Sequence, residues 1–319
     1  MTRSTRVGIA CALAVLVIWS SFILVGRLNA TGDRVLLPLD IAFLRFLLSG
    51  LGVLVIAGYR ARRRQGAPPD NTTSSVLGRV SPGRAMALGA FAGIGYCSLA
   101  YSGFFFAPAA HASVLMTGSL PLWTTVIAFF VLKEPIARVY IAAVLLTLAG
   151  DALVGGASLM GAIAGGTAWK GDLCFIGASM MWASYTVACR KWQVGAMDAT
   201  MAIGLSCLVT FLPAYALAVS LGWLPTALLQ AGWSEITFQI FFQAGLAMLV
   251  AGPAYTQVIV AFGAVRAAMV TALVPAISAL SAVPVLGESL STASLSGLVL
   301  VTAGFAISIV ARRTSTGSR

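Results

Sequence analysis

The stretch that begins Ala100, Tyr101, Ser102 and ends with Glu134 and Gly150 comes round again 154 residues later, as Ala254, Tyr255, Thr256 through Glu288 and Gly304. Aligned without a gap, the two stretches match at 13 of 51 positions, among them Thr117 with Thr271, Pro121 with Pro275 and Leu132 with Leu286. Trp19, Ser20, Ser21 and Phe22 are likewise echoed by Trp182, Ala183, Ser184 and Tyr185. A duplication at a fixed period constrains the architecture before any local reading does. Each copy sits in a unit of five apolar segments, and five is odd. If every segment crosses a membrane, the second unit starts on the side opposite to the first, and the halves form an inverted pair.

Composition makes lipid the solvent. The chain is 59% hydrophobic and 9% charged, with a mean hydropathy of +0.96, whereas soluble domains are about 25% charged. A bilayer core takes about 20 apolar residues per helix, and ten stretches qualify: 7–27, 38–58, 84–106, 108–131, 137–156, 172–191, 198–221, 235–261, 264–286 and 292–311. The expected fold is an all-α integral membrane protein, ten transmembrane helices arranged as a 5+5 inverted repeat. Residues 1–156 form the first repeat, 157–171 a linker on or slightly within the outer surface, and 172–319 the second repeat. The N-terminal run behind Arg3 and Arg6 reads as the first span and not as a cleaved signal.

A net charge of +11 would suggest nucleic acid in a soluble protein, but its placement here sets orientation. With the N-terminus inside, cytoplasmic segments hold 16 of the 20 Lys and Arg residues, including Arg60, Arg62, Arg63 and Arg64 in the polar loop 60–83. The other side keeps Arg27, Arg34 and Lys170, and Arg45 lies within a span. Positive residues collect on the cytoplasmic side, so both termini are expected there, in a bacterial-type inner membrane, with no nucleic-acid partner. The arginine cluster can also meet acidic lipid headgroups. Cys11, Cys97, Cys174, Cys189 and Cys207 have no CxxC spacing and read as packing residues, so neither a metal nor a cofactor is expected.

Arg45 and Phe46, the Ala-Tyr-Ser/Thr before each tight hairpin (107–109 and 262–264), Pro121 and Pro275, and the Leu-x-Glu of Leu132/Glu134 and Leu286/Glu288 together resemble the EamA-type drug/metabolite transporters. The likeness spans both halves. It implies a central cavity lined by the first, third, fourth, sixth, eighth and ninth spans, with the fifth and tenth outside. Inverted repeats place a substrate site near the midplane and allow alternating access.

Arg45 is the costliest residue, since a charge at mid-bilayer costs roughly 2.5 to 3.5 kcal/mol on insertion scales. Asp40, five residues away, is too far round the helix for an ideal pair. Arg45 either anchors a substrate carboxylate or satisfies carbonyl groups at a helix break and holds the halves together; the structural reading is the stronger. His111, the single histidine, stands opposite Val265 of the second copy. It gates a proton-coupled step, touches substrate at the outer mouth, or caps local carbonyls. Glu134 and Glu288 each end a helix just before the next span, where a carboxylate caps free N–H groups.

Pro121 and Pro275 lie inside spans, where proline bends the axis and suits paired gates, and Pro253 breaks the long eighth span. Gln239, Gln243 and Gln257 share a helical face that must meet protein or a wet cavity. Trp19, Tyr101, Trp123, Trp182, Tyr185 and Tyr255 either clad a cavity for flat rings and cations or serve packing and the interfacial belt. Gly89 and Gly93 let the third span pack closely. The candidate substrate-binding set is Trp19, Tyr101, His111, Trp123, Trp182, Gln243 and Tyr255. The candidate gating or structural set is Arg45, Pro121, Glu134, Pro253, Pro275 and Glu288.

The expected activity is secondary transport, exporting a small organic metabolite (amino-acid-like, aromatic or amphiphilic) with protons as the candidate coupling ion. The partners are then the solute and membrane lipid, with the chain a monomer or weak homodimer. No Walker loop points to ATP. An integral membrane enzyme acting on lipid would need a cluster of His, Asp or Glu at one face. A non-transporting sensor leaves the inverted duplication unexplained.

Overall fold

The computed structural model describes residues 3–32, 34–64, 80–133, 138–262, 270–271 and 273–316. The helices are α1 (Arg3–Thr31), α2 (Pro38–Arg64), α3 (Pro82–Phe106), α4 (Ala109–Leu132), α5 (Arg138–Ile163), α6 (Ala168–Trp192), α7 (Ala196–Ser220), α8 (233–262), α9 (Val274–Leu286) and α10 (Thr292–Thr316). Among the described residues there is no strand. Seven helices, α1 to α5, α7 and α8, are long and apolar enough to cross a membrane, and α9 and the first part of α10 are shorter apolar helices. α6 has the length, at 25 residues, but mixes Ser179, Ser184 and Tyr185 into its apolar run. The segment 157–171, expected as a linker, is mostly helical. α5 runs on to Ile163 and α6 starts at Ala168, leaving a four-residue turn.

Hydrogen bonds at the helix ends fix the directions of α1 to α9. Near the end of α1, Asn29 donates to Leu36 O at 3.0 Å and accepts from Gln239, in the first turns of α8, at 3.0 Å. Asp40, in the first turn of α2, accepts from Tyr215 late in α7 and from Thr226 and Ala227 just beyond it. Arg27 of α1 reaches Phe104 O at the end of α3 and Glu288 just after α9, and Glu288 accepts from Ala109 N at the start of α4. His111 of α4 meets Asp172 of α6 and Ser158 of α5. The starts of α2, α4, α6 and α8 therefore share one end of the bundle with the finishes of α1, α3, α5, α7 and α9. Successive helices alternate, and α1 runs opposite to its repeat counterpart α6. An odd number of helices per repeat demands that inversion.

The repeats also share backbone detail that side chains do not announce. Lys133 and Gly287, 154 residues apart, end α4 and α9 in the left-handed conformation, at φ 57° and 67°. Glycine adopts that cap without a Cβ penalty. α3 and α8 widen into π-helical turns over Gly89–Gly95 and Ile240–Val250, again at matching positions. α5 and α10 form the most extensive helix pair. A Cβ on Gly150 would lie 2.7 Å from Gly297 O, and one on Gly304 2.7 Å from Ala143 O. Gly150 with Gly304 and Ala143 with Gly297 are repeat partners, so one contact is made twice about a local two-fold. Without side chains there, the two backbones can approach. Gly89 and Gly93 serve α3 in the same way, facing Ser206 and Cys207 of α7.

Pro121 and Pro275 occupy the second position of an α-helical segment and not a helix interior. α4 is π-helical over Ala112–Gly118, pauses at Ser119 (φ −78°, ψ −5°) and restarts at Leu120. A proline costs nothing at a first turn, where its missing N–H has no partner to lose.

Candidate functional site

Between the halves lies a two-part cavity. The smaller part, about 110 Å³, is lined by Phe22, Tyr96, Met116, Thr117 and Leu120 together with Trp19, Arg45, Trp182 and Ala247. Those last four are shared with the larger part, about 360 Å³, which continues past Tyr185, Cys189 and Arg190 to Val194, at the junction of α6 and α7. Lining residues come from α1, α2, α3, α4, α6, α7 and α8. The expected set is thus extended: α2 and α7 contribute as well, and the described residues of the ninth span, 264–286, line neither part, while 264–269 and 272 lie outside the described residues.

Aromatic side chains form the walls. Trp19 and Tyr255 pair at 5.2 Å between α1 and α8; Trp182 pairs with Tyr96 of α3 at 4.9 Å and with Tyr185 of its own helix α6 at 5.2 Å. Two indoles from repeat-related positions, Trp19 and Trp182, therefore border one space. Phe22 and Tyr96 join them without having been singled out in the sequence. Phe22 lies one helical turn from Trp19, a signal available from spacing. Tyr96 lies five residues before Tyr101, a different face on a regular α-helix, and it follows directly on the π turn of α3.

Arg45, only 6% exposed, stands where the two parts of the cavity meet. Its Nη1 donates to the Tyr101 hydroxyl at 3.2 Å; Tyr101 donates to Gln243 Oε1 at 2.9 Å; Gln243 donates to Gln239 Oε1 at 3.4 Å. Gln239 passes the chain to Asn29, which ends it on a backbone carbonyl. This relay links α2 and α3 of the first repeat to α8 of the second, and every side chain in it is buried. Tyr101 and Gln243 are therefore backing residues that fix the guanidinium, and neither lines the cavity. Among the described residues no carboxylate pairs with Arg45, and its Nε is buried without an acceptor. Asp40 is committed to the four donors Leu37 N, Ala227 N, Thr226 and Tyr215.

Gln257 leaves the face of Gln239 and Gln243: those two are buried, whereas Gln257 is exposed. The cause is the π-helical stretch Ile240–Val250 between them, whose wider turns shift the register of everything that follows. Pro253 lies in the α-helical segment that resumes at Ala251. Trp123 is absent from the cavity lining, and its indole N–H is buried without a partner among the described residues.

His111 also stands apart from the cavity. Its Nδ1 lies 2.8 Å from Asp172 Oδ1 and 3.4 Å from Ser158 Oγ, joining α4, α6 and α5. Glu288 caps a helix, but it caps the start of α4 across the repeat boundary and pairs with Arg27 at 2.6 Å. Neither Asp172 nor Arg27 was picked out in the sequence, because each acquires meaning only from a partner more than 60 residues away. Glu134 lies outside the described residues. Asp151 of α5 has one buried oxygen without a partner among the described residues. Among the described residues no group of three or more His, Cys, Asp or Glu is placed to hold a metal ion.

A family model described as the EamA-like transporter family matches this chain twice, over residues 6–156 and 169–310. A protein of known crystal structure, 21% identical in sequence, aligns over 96% of this chain and 97% of its own with a TM-score of 0.56. That likeness concerns the fold. No curated protein matches the sequence.

Proposed function

Because this chain belongs to the EamA-like transporter family, we propose that it is a secondary carrier crossing the membrane ten times, with both termini cytoplasmic, that exports a small organic solute by alternating access. The observation that carries this reading is the asymmetry of the cavity. It reaches the α6–α7 junction, while the end holding Arg27, Glu288 and the start of α4 is tied shut. The excess of Lys and Arg puts the open mouth on the cytoplasmic side, so solute enters from within. Rocking one repeat against the other then exposes Trp19, Trp182 and Arg45 to the far side.

An enzyme reading gains little from His111. Ser158 and Asp172 both approach the same ring nitrogen, whereas a nucleophilic triad uses opposite ones. A proton-binding latch suits the cluster better, because His111 joins the two repeats at the closed end. Protons are the proposed coupling ion.

Inside-out vesicles carrying the protein, incubated with a small-molecule cell extract and read by mass spectrometry, are expected to accumulate at least one solute about tenfold over vesicles without it. Trp182→Ala is expected to remove most of that gain, since losing one ring wall costs on the order of 1.4 kcal/mol, a factor of about ten. Identical solute profiles with and without the protein would overturn the proposal. In the same vesicles His111→Gln is expected to abolish the extra uptake driven by an imposed proton gradient while leaving uptake without a gradient intact. Unchanged gradient dependence would remove His111 from coupling.

A further inference from the structure

We infer that the cavity selects organic anions, taking a flat apolar body between Trp19 and Trp182 with its carboxylate on Arg45. This rests on the carrier reading for where the solute goes, but not for what binds.

Charge is the first ground. Among the described residues, the charged side chains lining the two parts of the cavity are Arg45 and Arg190, and no Asp or Glu lines either. Every acid among the described residues is placed elsewhere. Asp40 is saturated by four donors, Asp172 faces His111, and Glu288 faces Arg27. Glu235 accepts from the backbone of Val35 and Leu36, Asp151 lies on α5, and Asp198 opens α7 outside the lining. Among the described residues, a solute beside Arg45 therefore meets a cation and no acidic side chain.

The second ground is the unmet hydrogen-bonding of Arg45. A guanidinium keeps its charge in a protein and offers five N–H donors in a rigid fork. Here Nη1 has only the neutral Tyr101 hydroxyl, and Nε has no acceptor among the described residues. A buried charge is stabilised by pairing, and a carboxylate on the Nε edge would satisfy both the charge and the stranded donor. The relay through Tyr101, Gln243, Gln239 and Asn29 consists wholly of neutral groups. It holds the fork in place without neutralising it.

Shape is the third. At about 360 Å³ the larger part falls within the range of small-molecule sites. Its aromatic walls would also attract an organic cation, but that cation would lie against a permanently charged guanidinium. A zwitterion would leave its ammonium group without a carboxylate partner. The net anion alone satisfies both walls and fork.

Three probes that share one phenyl ring and differ in charge separate these cases: phenylacetate, phenethylamine and phenylalanine, titrated against the purified full chain in lipid nanodiscs. Phenylacetate is expected to bind at least about tenfold more tightly than phenethylamine, with phenylalanine between them. Arg45→Gln should bring phenylacetate down to the amine's level. Arg45→Lys, which keeps the charge but loses the fork, should retain a weaker preference for the anion. Trp19→Ala should weaken all three alike. The inference is overturned if phenethylamine or phenylalanine binds as tightly as phenylacetate, if phenylacetate does not bind, or if folded Arg45→Gln keeps the anion preference. Should Arg45→Gln not fold, equal binding of the three probes by Arg45→Lys overturns it as well. Counterflow in liposomes separates the two proposals. Phenylacetate that binds but never exchanges leaves the anion site standing and removes the carrier; preferential exchange of phenethylamine does the reverse.

Discussion

Asp40→Ala is expected to destabilise the protein more than any substitution in the cavity. Asp40 is fully buried, and its two oxygens take hydrogen bonds from Leu37 N, Ala227 N, Thr226 and Tyr215. Alanine strands two backbone and two hydroxyl donors away from water. At about 1 to 3 kcal/mol for each stranded donor, and with Tyr215 and Thr226 able to fall back on each other at 2.9 Å, the net loss is about 3 kcal/mol or more. Asp40→Asn keeps the size and one carbonyl oxygen and should lose about half as much. Thermal unfolding followed by size-exclusion chromatography reads the difference. An alanine variant that melts with the parent protein would show that this clamp between α2 and the segment after α7 contributes nothing. The clamp bears on function because it sets the height of α2, and so the depth at which Arg45 enters the cavity.

The second large effect is expected at the closed end. Glu288 receives Arg27 at 2.6 Å and the backbone N–H of Ala109 at 2.9 Å, while Arg27 also reaches Phe104 O at 2.6 Å. One carboxylate thus draws α1, α4 and the end of α9 together. Glu288→Ala removes the ion pair and uncaps α4. The pair is part-exposed, which reduces its strength, but a loss of only about 1.4 kcal/mol shifts the balance between closed and open about tenfold. Glu288→Gln, which can still accept from Ala109, should shift it less. The readout is an introduced cysteine at Thr117, a residue lining the smaller part of the cavity, in a chain whose five native cysteines are replaced by serine. An impermeant maleimide applied to intact cells is expected to label it about tenfold faster in the Glu288→Ala background. Equal labelling would mean that Arg27 and Glu288 do not hold this end shut.

Much of this architecture can be read from one dimension, for reasons that also mark the limit. The repeat shows in matched residues, and the inversion follows from parity alone. Trp19, Trp182 and Tyr255 reach the cavity from positions that the repeat pairs, whereas Tyr101, the repeat partner of Tyr255, stays behind the wall. What escapes is whatever depends on backbone hydrogen-bond register or on partners far apart in sequence. The π turns in α3 and α8 carry no residue signature, yet they separate Gln257 from Gln239 and Gln243 and place Tyr96 beside Trp182. In sequence His111 is a lone histidine at a hairpin and Glu288 a local cap; the fold sets Asp172 against the first and carries the second to another helix. Arg45 had two competing readings, substrate anchor and structural tie. The fold places it both in the relay and at the cavity, so the relay fixes a guanidinium on the cavity wall.

The central claim is that the two ends of the cavity open in turn. Spin labels at Lys191 and Gln257, exposed on α6 and α8, report the open mouth, and labels at Phe106 and Ser289, exposed beside the closed end, report the seal. Distances measured in lipid should fall into two populations for each pair, and Glu288→Ala should lengthen the second distance while shortening the first. Two ends that keep single, independent distances, or that widen together, would contradict alternating access.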